Sequence, residues 1–141
     1  ELVLIKDLFG KERVLIAGIA IDSLTAEEAC QCFDALIDNG GSSAIMFCEA
    51  NLLVQATRSH DIRRALESAS LVLADGVSIT LASYLIGKPL PARLPGPSVM
   101  PLYCKHGVGR GLNHFFYGGA PGETERLADN LSKQKVVSVL A

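Results

Sequence analysis

The stretch "LVLADGVSIT", residues 71–80, joins two apolar segments through one acid and one glycine. Its first four residues, 71–74, form a short apolar run of the kind found at the centre of a parallel sheet. An apolar helix is predicted behind it over residues 77–87, and its low polarity predicts burial on most sides. A strand that runs almost directly into a helix is the repeating unit of α/β folds. The stretch therefore predicts an α/β domain, with Asp75 at the junction of strand and helix.

The rest of the chain repeats this alternation of strands and helices. Residues 13–22 predict either one bent strand or two short strands, and residues 43–48 predict a central strand. Thr25 and Glu28 have the spacing of a capping box at the start of an amphipathic helix. The alternation favours a mainly parallel sheet with helices on both faces, in a single domain over residues 1–141. The other predicted elements are helices over 50–57, 61–69, 99–106 and 121–132, and strands over 114–117 and 136–140.

Composition argues against several classes of protein. Hydrophobic residues make up 49% and charged residues 20% of the 141 residues, a balance that argues against disorder. The formal net charge of -2 gives no support to nucleic-acid binding. No run of about 18 apolar residues predicts a membrane span, and residues 1–10 lack the basic start of a signal peptide. The cysteines lack zinc-ligand spacing and are predicted to be buried free thiols; they are Cys30, Cys32, Cys48 and Cys104.

Polar or glycine-rich features follow three of the predicted strands. Asn51 comes shortly after the second strand, Asp75 directly after the third, and Gly118 and Gly119 directly after the fourth. In an open parallel sheet, ligands bind in the crevice beyond the carboxyl ends of the strands. These features are therefore predicted to share one ligand-binding edge.

Each feature also has a simpler structural interpretation. Asp75 is either the N-cap of the helix behind it or a general base for a sugar hydroxyl, and Asn51 is either a helix cap or a ligand contact. The segment "YGGAPGE", residues 117–123, is either an ordinary tight turn or a phosphate site at a helix N-terminus. Arg93 lies in a proline-rich loop over residues 88–98, where it either clamps a diphosphate or is merely solvated.

The order of these motifs resembles that of a known family. The chain carries "DIRRALESASLVLADG", then "GKPLPARLPG", then "FFYGGAPGETERLADNL", after an asparagine that follows the second strand. In this combination it is similar to the WecG/TagA/CpsF family of bacterial glycosyltransferases, over about residues 13–133. The resemblance implies a Rossmann-like α/β core.

The resemblance also implies a reaction and its place in the cell. Members are inverting hexosyltransferases that need no metal or other cofactor, and their donor is a UDP-sugar, often UDP-N-acetylmannosamine. Their acceptor is a saccharide on polyprenyl diphosphate, in the synthesis of wall teichoic acid or other surface polysaccharides. The implied location is the cytoplasm, peripherally at the inner face of the cell membrane, and self-association is a further expectation.

By position, the family's residues fall on the features already named. The catalytic base falls on Asp75 and the active-site asparagine on Asn51. The arginine and glycine of the proline-rich loop fall on Arg93 and Gly96. The remaining substrate-binding positions are in the loop near the nucleotide, at Gly118 and Gly119.

Three departures from the family pattern bear on activity. Glu49 stands where many members have threonine, and Ser98 stands where they commonly have aspartate. The chain is also expected to lack the C-terminal segment with which members dock on the membrane and complete the site. A non-catalytic nucleotide-binding, sugar-binding or assembly domain derived from the same fold is the alternative.

Overall fold

A computed structural model describes residues 12–133 and 138–139 of the chain. The part of the chain up to Gly96 and the part from Pro97 onward form two compact units. The first contains strands β1 (Arg13–Ile16), β2 (Ile19–Asp22), β3 (Ile45–Cys48) and β4 (Leu71–Ala74), and helices α1 (Ala26–Asp38), α2 (Ala50–Arg58), α3 (His60–Ser68) and α4 (Val77–Leu85). The second contains helix α5 (Gly96–Gly107), a 3-10 turn (Val108–Arg110), strand β5 (Asn113–His114), helix α6 (Glu123–Lys133) and strand β6 (Ser138–Val139).

The mixed α/β character that the sequence predicts is confirmed, but the described strands do not form one mainly parallel sheet. Residues 13–22 form two strands, and β1 pairs with β2 in antiparallel register. In the other described pairs, β3 lies parallel to β4 and β5 lies parallel to β6. The described pairings therefore form three two-stranded sheets.

A two-residue turn closes the β1–β2 hairpin. Both residues of the turn, Ala17 and Gly18, have positive φ angles, 48° and 77° respectively. A turn with two left-handed residues matches the right-handed twist of the flanking strands, which is why two-residue hairpins favour it. The glycine of "LIAGIA" therefore reverses the direction of the chain, so residues 13–22 form two short strands and not one bent strand.

A buried carboxylate ties this hairpin to β4. Asp22 is only 6% exposed, and its Oδ1 atom lies 2.7 Å from Nε of Arg13. Its Oδ2 atom accepts a 2.7 Å hydrogen bond from the backbone N–H of Val72. Because charged side chains are rarely buried without partners, this pairing allows Asp22 to lie in the core. The network fixes β2 beside β4, the strand that leads to Asp75.

The core of the first unit surrounds the parallel pair β3–β4. All four residues of β4 are buried, and Ile19, Ile21 and Leu66 pack in the same core at no more than 2% exposure. The capping box predicted for α1 is confirmed, since the Thr25 side chain accepts from Glu28 N–H while the Glu28 carboxylate accepts from Thr25 N–H. The buried strand β4 and its parallel partner β3 lead directly to the starts of α4 and α2.

The prediction that the helix after β4 is buried on most sides is wrong. The helix ends at Leu85, before Gly87, whose φ angle is +73°. Only Ile79 and Ser83, four residues apart on one face, are buried within α4. Ala82 is partly buried against the core, and the large apolar side chains Val77, Leu81, Tyr84 and Leu85 are exposed, because one face of this helix contacts the core.

Several bounds predicted for the second unit are also wrong. The helix predicted over 99–106 extends over 96–107, and the strand predicted over 114–117 covers only Asn113–His114. The helix predicted from Pro121 begins at Glu123, because Gly122 has a φ angle of +82° that cannot belong to a right-handed helix. Of the strand predicted over 136–140, residues 138–139 form β6, and the rest lies outside the described residues.

The second unit has a small core of its own. Cys104 and Leu131 are buried in it, and Met100, Phe116 and Leu127 pack against them. The glycine-rich loop between Phe116 and α6 therefore has one end anchored in apolar packing, while Tyr117 is 95% exposed.

Candidate functional site

The carboxyl ends of β3 and β4 form the edge at which the sequence places a site. One residue separates the end of β3 from the start of α2, and two residues separate the end of β4 from the start of α4. The backbone N–H of Asp75 donates to the carbonyl of Cys48 across this edge, at 3.0 Å. A Cβ atom on Gly76 would lie 3.6 Å from Cα of Glu49, so the two helix starts lie against each other.

Both helices begin without a side-chain cap. The N-cap residues are Glu49 for α2 and Gly76 for α4, and neither helix has a side-chain hydrogen bond at its N-cap. The first N–H groups of a helix have no partner within the helix, and they carry the positive end of its dipole. Two uncapped N-termini at one place offer N–H donors to an anion such as a diphosphate.

The structure excludes the capping interpretations of Asp75 and Asn51. Asp75 precedes the N-cap Gly76, and Asn51 is the second residue inside α2. Among the described residues, neither side chain has a hydrogen-bond or ion-pair partner. The two side chains follow neighbouring parallel strands and are both available to a ligand.

The proline-rich loop lies along the end of β4. Leu94 is buried, and its N–H donates to the carbonyl of Ala74 at 2.7 Å. Gly96 faces the ring of Phe47, with only 3.6 Å from the position of a Cβ to the nearest ring atom. Arg93 is exposed and directly precedes Leu94. The main chain of this loop therefore passes the carboxyl end of β4, with Arg93 one residue before the contact.

Ser83 holds the other end of this loop, and sequence reasoning missed it. Its hydroxyl is fully buried, donates to the Thr80 carbonyl at 2.6 Å and accepts the Leu90 N–H at 3.0 Å. The available signal was a serine within an apolar helix, three residues after a threonine. Ser83 thus links α4 to the segment that carries Arg93.

We expect Ser83→Ala to lower the free energy of unfolding by about 1–3 kcal/mol, because the Leu90 N–H loses its acceptor. Urea unfolding would measure the change. Ser78→Ala, at an exposed position of the same helix, is the matched control. The same loss of stability in both variants would contradict a bridging role for Ser83.

Cys48 lies at the end of β3, within the same edge. Its side chain is fully buried, and burial together with the neighbouring Glu49 carboxylate raises the pKa of its thiol to about 11. A thiol is nucleophilic only as thiolate, so Cys48 stays protonated and unreactive at neutral pH. The prediction of buried free cysteines is confirmed for all four positions.

The glycine loop belongs to the second unit and is closed by a side chain of α6. Gly118 and Gly119 have φ angles of 106° and 79°, which L side chains rarely adopt. Oε2 of Glu123 accepts the Ala120 N–H at 2.8 Å and lies 2.7 Å from the position of a Cβ on Gly119. Glu123, which sequence reasoning did not single out, therefore supplies the anion at the start of α6. A phosphate that accepts a hydrogen bond from the Ala120 N–H would have to displace the Glu123 carboxylate.

A cleft of about 570 Å³ lies at the opposite end of α4 from Asp75. Its lining is mostly polar or charged, which is unlike the apolar wall of a typical small-molecule site. The lining residues are Glu12, Arg13, Val14, Ser23, Gly87, Lys88 and Pro89. Arg13, the arginine of this lining, is already paired with Asp22.

Comparison with known proteins identifies the family. A sequence model of the glycosyl transferase WecG/TagA/CpsF family matches residues 14–139. The chain belongs to the WecG/TagA/CpsF family. No curated protein matches it by sequence.

As a member of the WecG/TagA/CpsF family, the chain is a glycosyltransferase. The family is associated with cell-surface polysaccharide synthesis. The β3–β4 edge brings together four of the sequence-predicted site residues, Asn51, Asp75, Arg93 and Gly96. The other two, Gly118 and Gly119, lie in the second unit. No helix within the described residues is long and apolar enough to cross a membrane.

Proposed function

We propose that the chain transfers a sugar, N-acetylmannosamine, from a UDP-sugar to a saccharide on polyprenyl diphosphate in the synthesis of a teichoic acid or another cell-surface polymer. One observation carries the proposal: the Asp75 carboxylate, which has no partner among the residues that the structure describes, stands where two uncapped helix N-termini meet. A base beside an anion-binding edge is what transfer from a nucleoside diphosphate sugar requires.

Asp75 acts as the general base in this proposal. Its carboxylate accepts the proton of the acceptor hydroxyl as that oxygen bonds to the anomeric carbon. The bond from the anomeric carbon to the diphosphate breaks in the same step, and UDP leaves with the bonding electrons. A single displacement of this kind inverts the configuration at the anomeric carbon.

The diphosphate leaving group is stabilised by fixed positive charge. The N-terminal N–H groups of α2 and α4 supply donors, and Arg93 supplies a guanidinium that can bind two phosphate oxygens at once. These groups make a metal ion unnecessary for the leaving group. Transfer in the presence of excess chelator should therefore proceed at the same rate as without it.

The remaining site residues position the substrates. The Asn51 amide is proposed to contact the donor sugar, and Gly96, which packs against the ring of Phe47, is proposed to line the substrate site. Gly118 and Gly119 are proposed to approach the nucleotide once Glu123 gives up the Ala120 N–H. The two compact units are proposed to form one Rossmann-like domain, and the lipid acceptor places that domain at the inner surface of the membrane.

Release of UDP tests the reaction. UDP-N-acetylmannosamine and a lipid-linked saccharide acceptor analogue would be mixed with the chain, and UDP release would be compared with and without acceptor. Acceptor-dependent release supports transfer. Saturable UDP binding without acceptor-dependent release would support the alternative, a non-catalytic nucleotide-binding domain. That alternative is favoured by Glu49, whose exposed negative charge stands at the N-cap of α2.

We expect Arg93→Ala to weaken UDP binding by about 10- to 100-fold, since hydrogen bonds to charged groups contribute about 1.5–3 kcal/mol each. Isothermal titration with UDP would measure the change. Arg64→Ala removes an equally exposed arginine from α3 and serves as the control. Equal affinities of the two variants would contradict a diphosphate clamp at Arg93.

A further inference from the structure

The proline-rich loop that carries Arg93 is hydrogen-bonded on both sides of this residue. On one side the Leu90 N–H donates to the Ser83 hydroxyl of α4, at 3.0 Å. On the other side the Leu94 N–H donates to the carbonyl of Ala74, at 2.7 Å. The chain from Leu90 to Leu94 is so short that it reaches at most about 14 Å even when fully extended. Arg93 therefore lies on a short segment that is fixed at both ends.

The hydroxyl of Ser83 is committed to this segment. It donates its proton to the Thr80 carbonyl at 2.6 Å, which leaves the lone pairs of the oxygen to accept the Leu90 N–H. Pro89 and Pro91 stand on either side of Leu90, and proline has no backbone N–H to donate. Leu90 therefore supplies the donor at this point of the loop, and the Ser83 side chain supplies its acceptor.

This side-chain bond can be removed while the rest of the connection stays. The Ser83 carbonyl accepts the Lys88 N–H at 3.0 Å, a bond that does not depend on the side chain. The Ser83 side chain is fully buried, and it lies about 9 Å along the axis of α4 from the first residue of the helix. A ligand at the start of α4 therefore cannot contact this hydroxyl, and any effect of Ser83 on binding has to pass through the loop.

We propose that Ser83 is a positioning residue for the diphosphate and acts through Arg93, an inference that rests on the proposed function. Arg93 is exposed and has no hydrogen-bond or ion-pair partner among the described residues, so its own side chain does not hold the loop in place. A backbone that is fixed before the ligand arrives loses less conformational entropy on binding. Without the Ser83 hydroxyl, the ligand itself would have to order the segment that carries Arg93.

Isothermal titration of the full chain with UDP tests this role. Ser83→Ala should weaken UDP binding by about 5- to 10-fold, because part of the binding free energy is then used to order the loop. Ser83→Thr keeps a hydroxyl and should recover most of the loss. In the Arg93→Ala background, Ser83→Ala should weaken binding further by less than about 2-fold, because both changes remove the same contribution.

Thr25→Ala is the matched control. It also removes a hydroxyl that accepts a backbone N–H, but at the start of α1, and it should cost a similar loss of stability. Its affinity for UDP should equal that of wild type. Amide hydrogen exchange without UDP provides a second measurement: exchange at Arg93 and Leu94 should be about 10-fold faster in Ser83→Ala, and unchanged in Thr25→Ala.

Two kinds of failure can be distinguished. Wild-type affinity of Ser83→Ala, beside a weakened Arg93→Ala, overturns the positioning role and leaves the proposed function standing. So does a loss that adds in full to that of Arg93→Ala, or exchange at Arg93 and Leu94 that Ser83→Ala leaves unchanged. Equal affinities of wild type and Arg93→Ala would instead contradict the diphosphate clamp of the proposed function, and this inference with it.

Discussion

Asp75→Asn is expected to lower acceptor-dependent UDP release by about 10²- to 10⁴-fold, the range by which general bases accelerate proton transfer. The amide keeps the size and shape of the side chain but cannot accept the proton of the acceptor hydroxyl. The Asp75 side chain has no partner among the described residues, so the fold loses no contact by the change. The effect should therefore fall on turnover.

Separate measurements of rate and binding distinguish catalysis from damage to the site. UDP affinity of Asp75→Asn should be no weaker than that of wild type, and its thermal unfolding should coincide with that of wild type. Asp61→Asn removes an exposed carboxylate from the first turn of α3 and is the matched control. Release of UDP by Asp75→Asn at the wild-type rate would show that Asp75 is not the general base.

Asp22→Ala is expected to lower the free energy of unfolding by about 3 kcal/mol, the lower end of the range for losing one partner of a buried ion pair. The change leaves Arg13 without its carboxylate and the buried Val72 N–H without an acceptor. Arg13 is 20% exposed and can recover some hydration, which keeps the loss from being larger. Because Val72 lies in β4, the damage reaches the strand that carries Asp75.

Urea unfolding followed by circular dichroism would measure this loss. Asp61→Ala is the control, because its carboxylate is exposed at the start of α3 and should contribute well under 1 kcal/mol through the helix dipole. Similar midpoints for the two variants would show that the network around Asp22 does not stabilise the fold. A large loss for Asp22→Ala alone would show that the hairpin is fixed to the core through this side chain.

The local pattern was sufficient for two features that depend on neighbouring residues. The predicted bounds 71–74 of β4 are those observed, and the Thr25–Glu28 capping box forms as predicted. In both places the decisive contacts lie within a few residues of each other along the chain. The adjacency of Asn51 and Asp75 follows from the same logic, because they come after strands that pair in parallel. Their roles in transfer stay predictions.

Features that depend on distant contacts could not be predicted. Nothing near Asp22 in the sequence indicates that Val72, 50 residues away, donates to it. The apolar composition of α4 predicted burial, but burial depends on how many neighbours reach the helix. The loop that carries Arg93 reaches the end of β4 through a backbone bond from Leu94 to Ala74, which no local pattern encodes.

The rate at which the Cys48 thiol is alkylated reports local opening of the proposed site. It is fully buried at the end of β3, and its pKa of about 11 keeps it protonated at neutral pH. Alkylation at this cysteine must wait until the edge opens and water reaches the sulfur, so its rate reports the frequency of local opening. A nucleotide that binds across the starts of α2 and α4 would lower the rate of alkylation without contacting the sulfur.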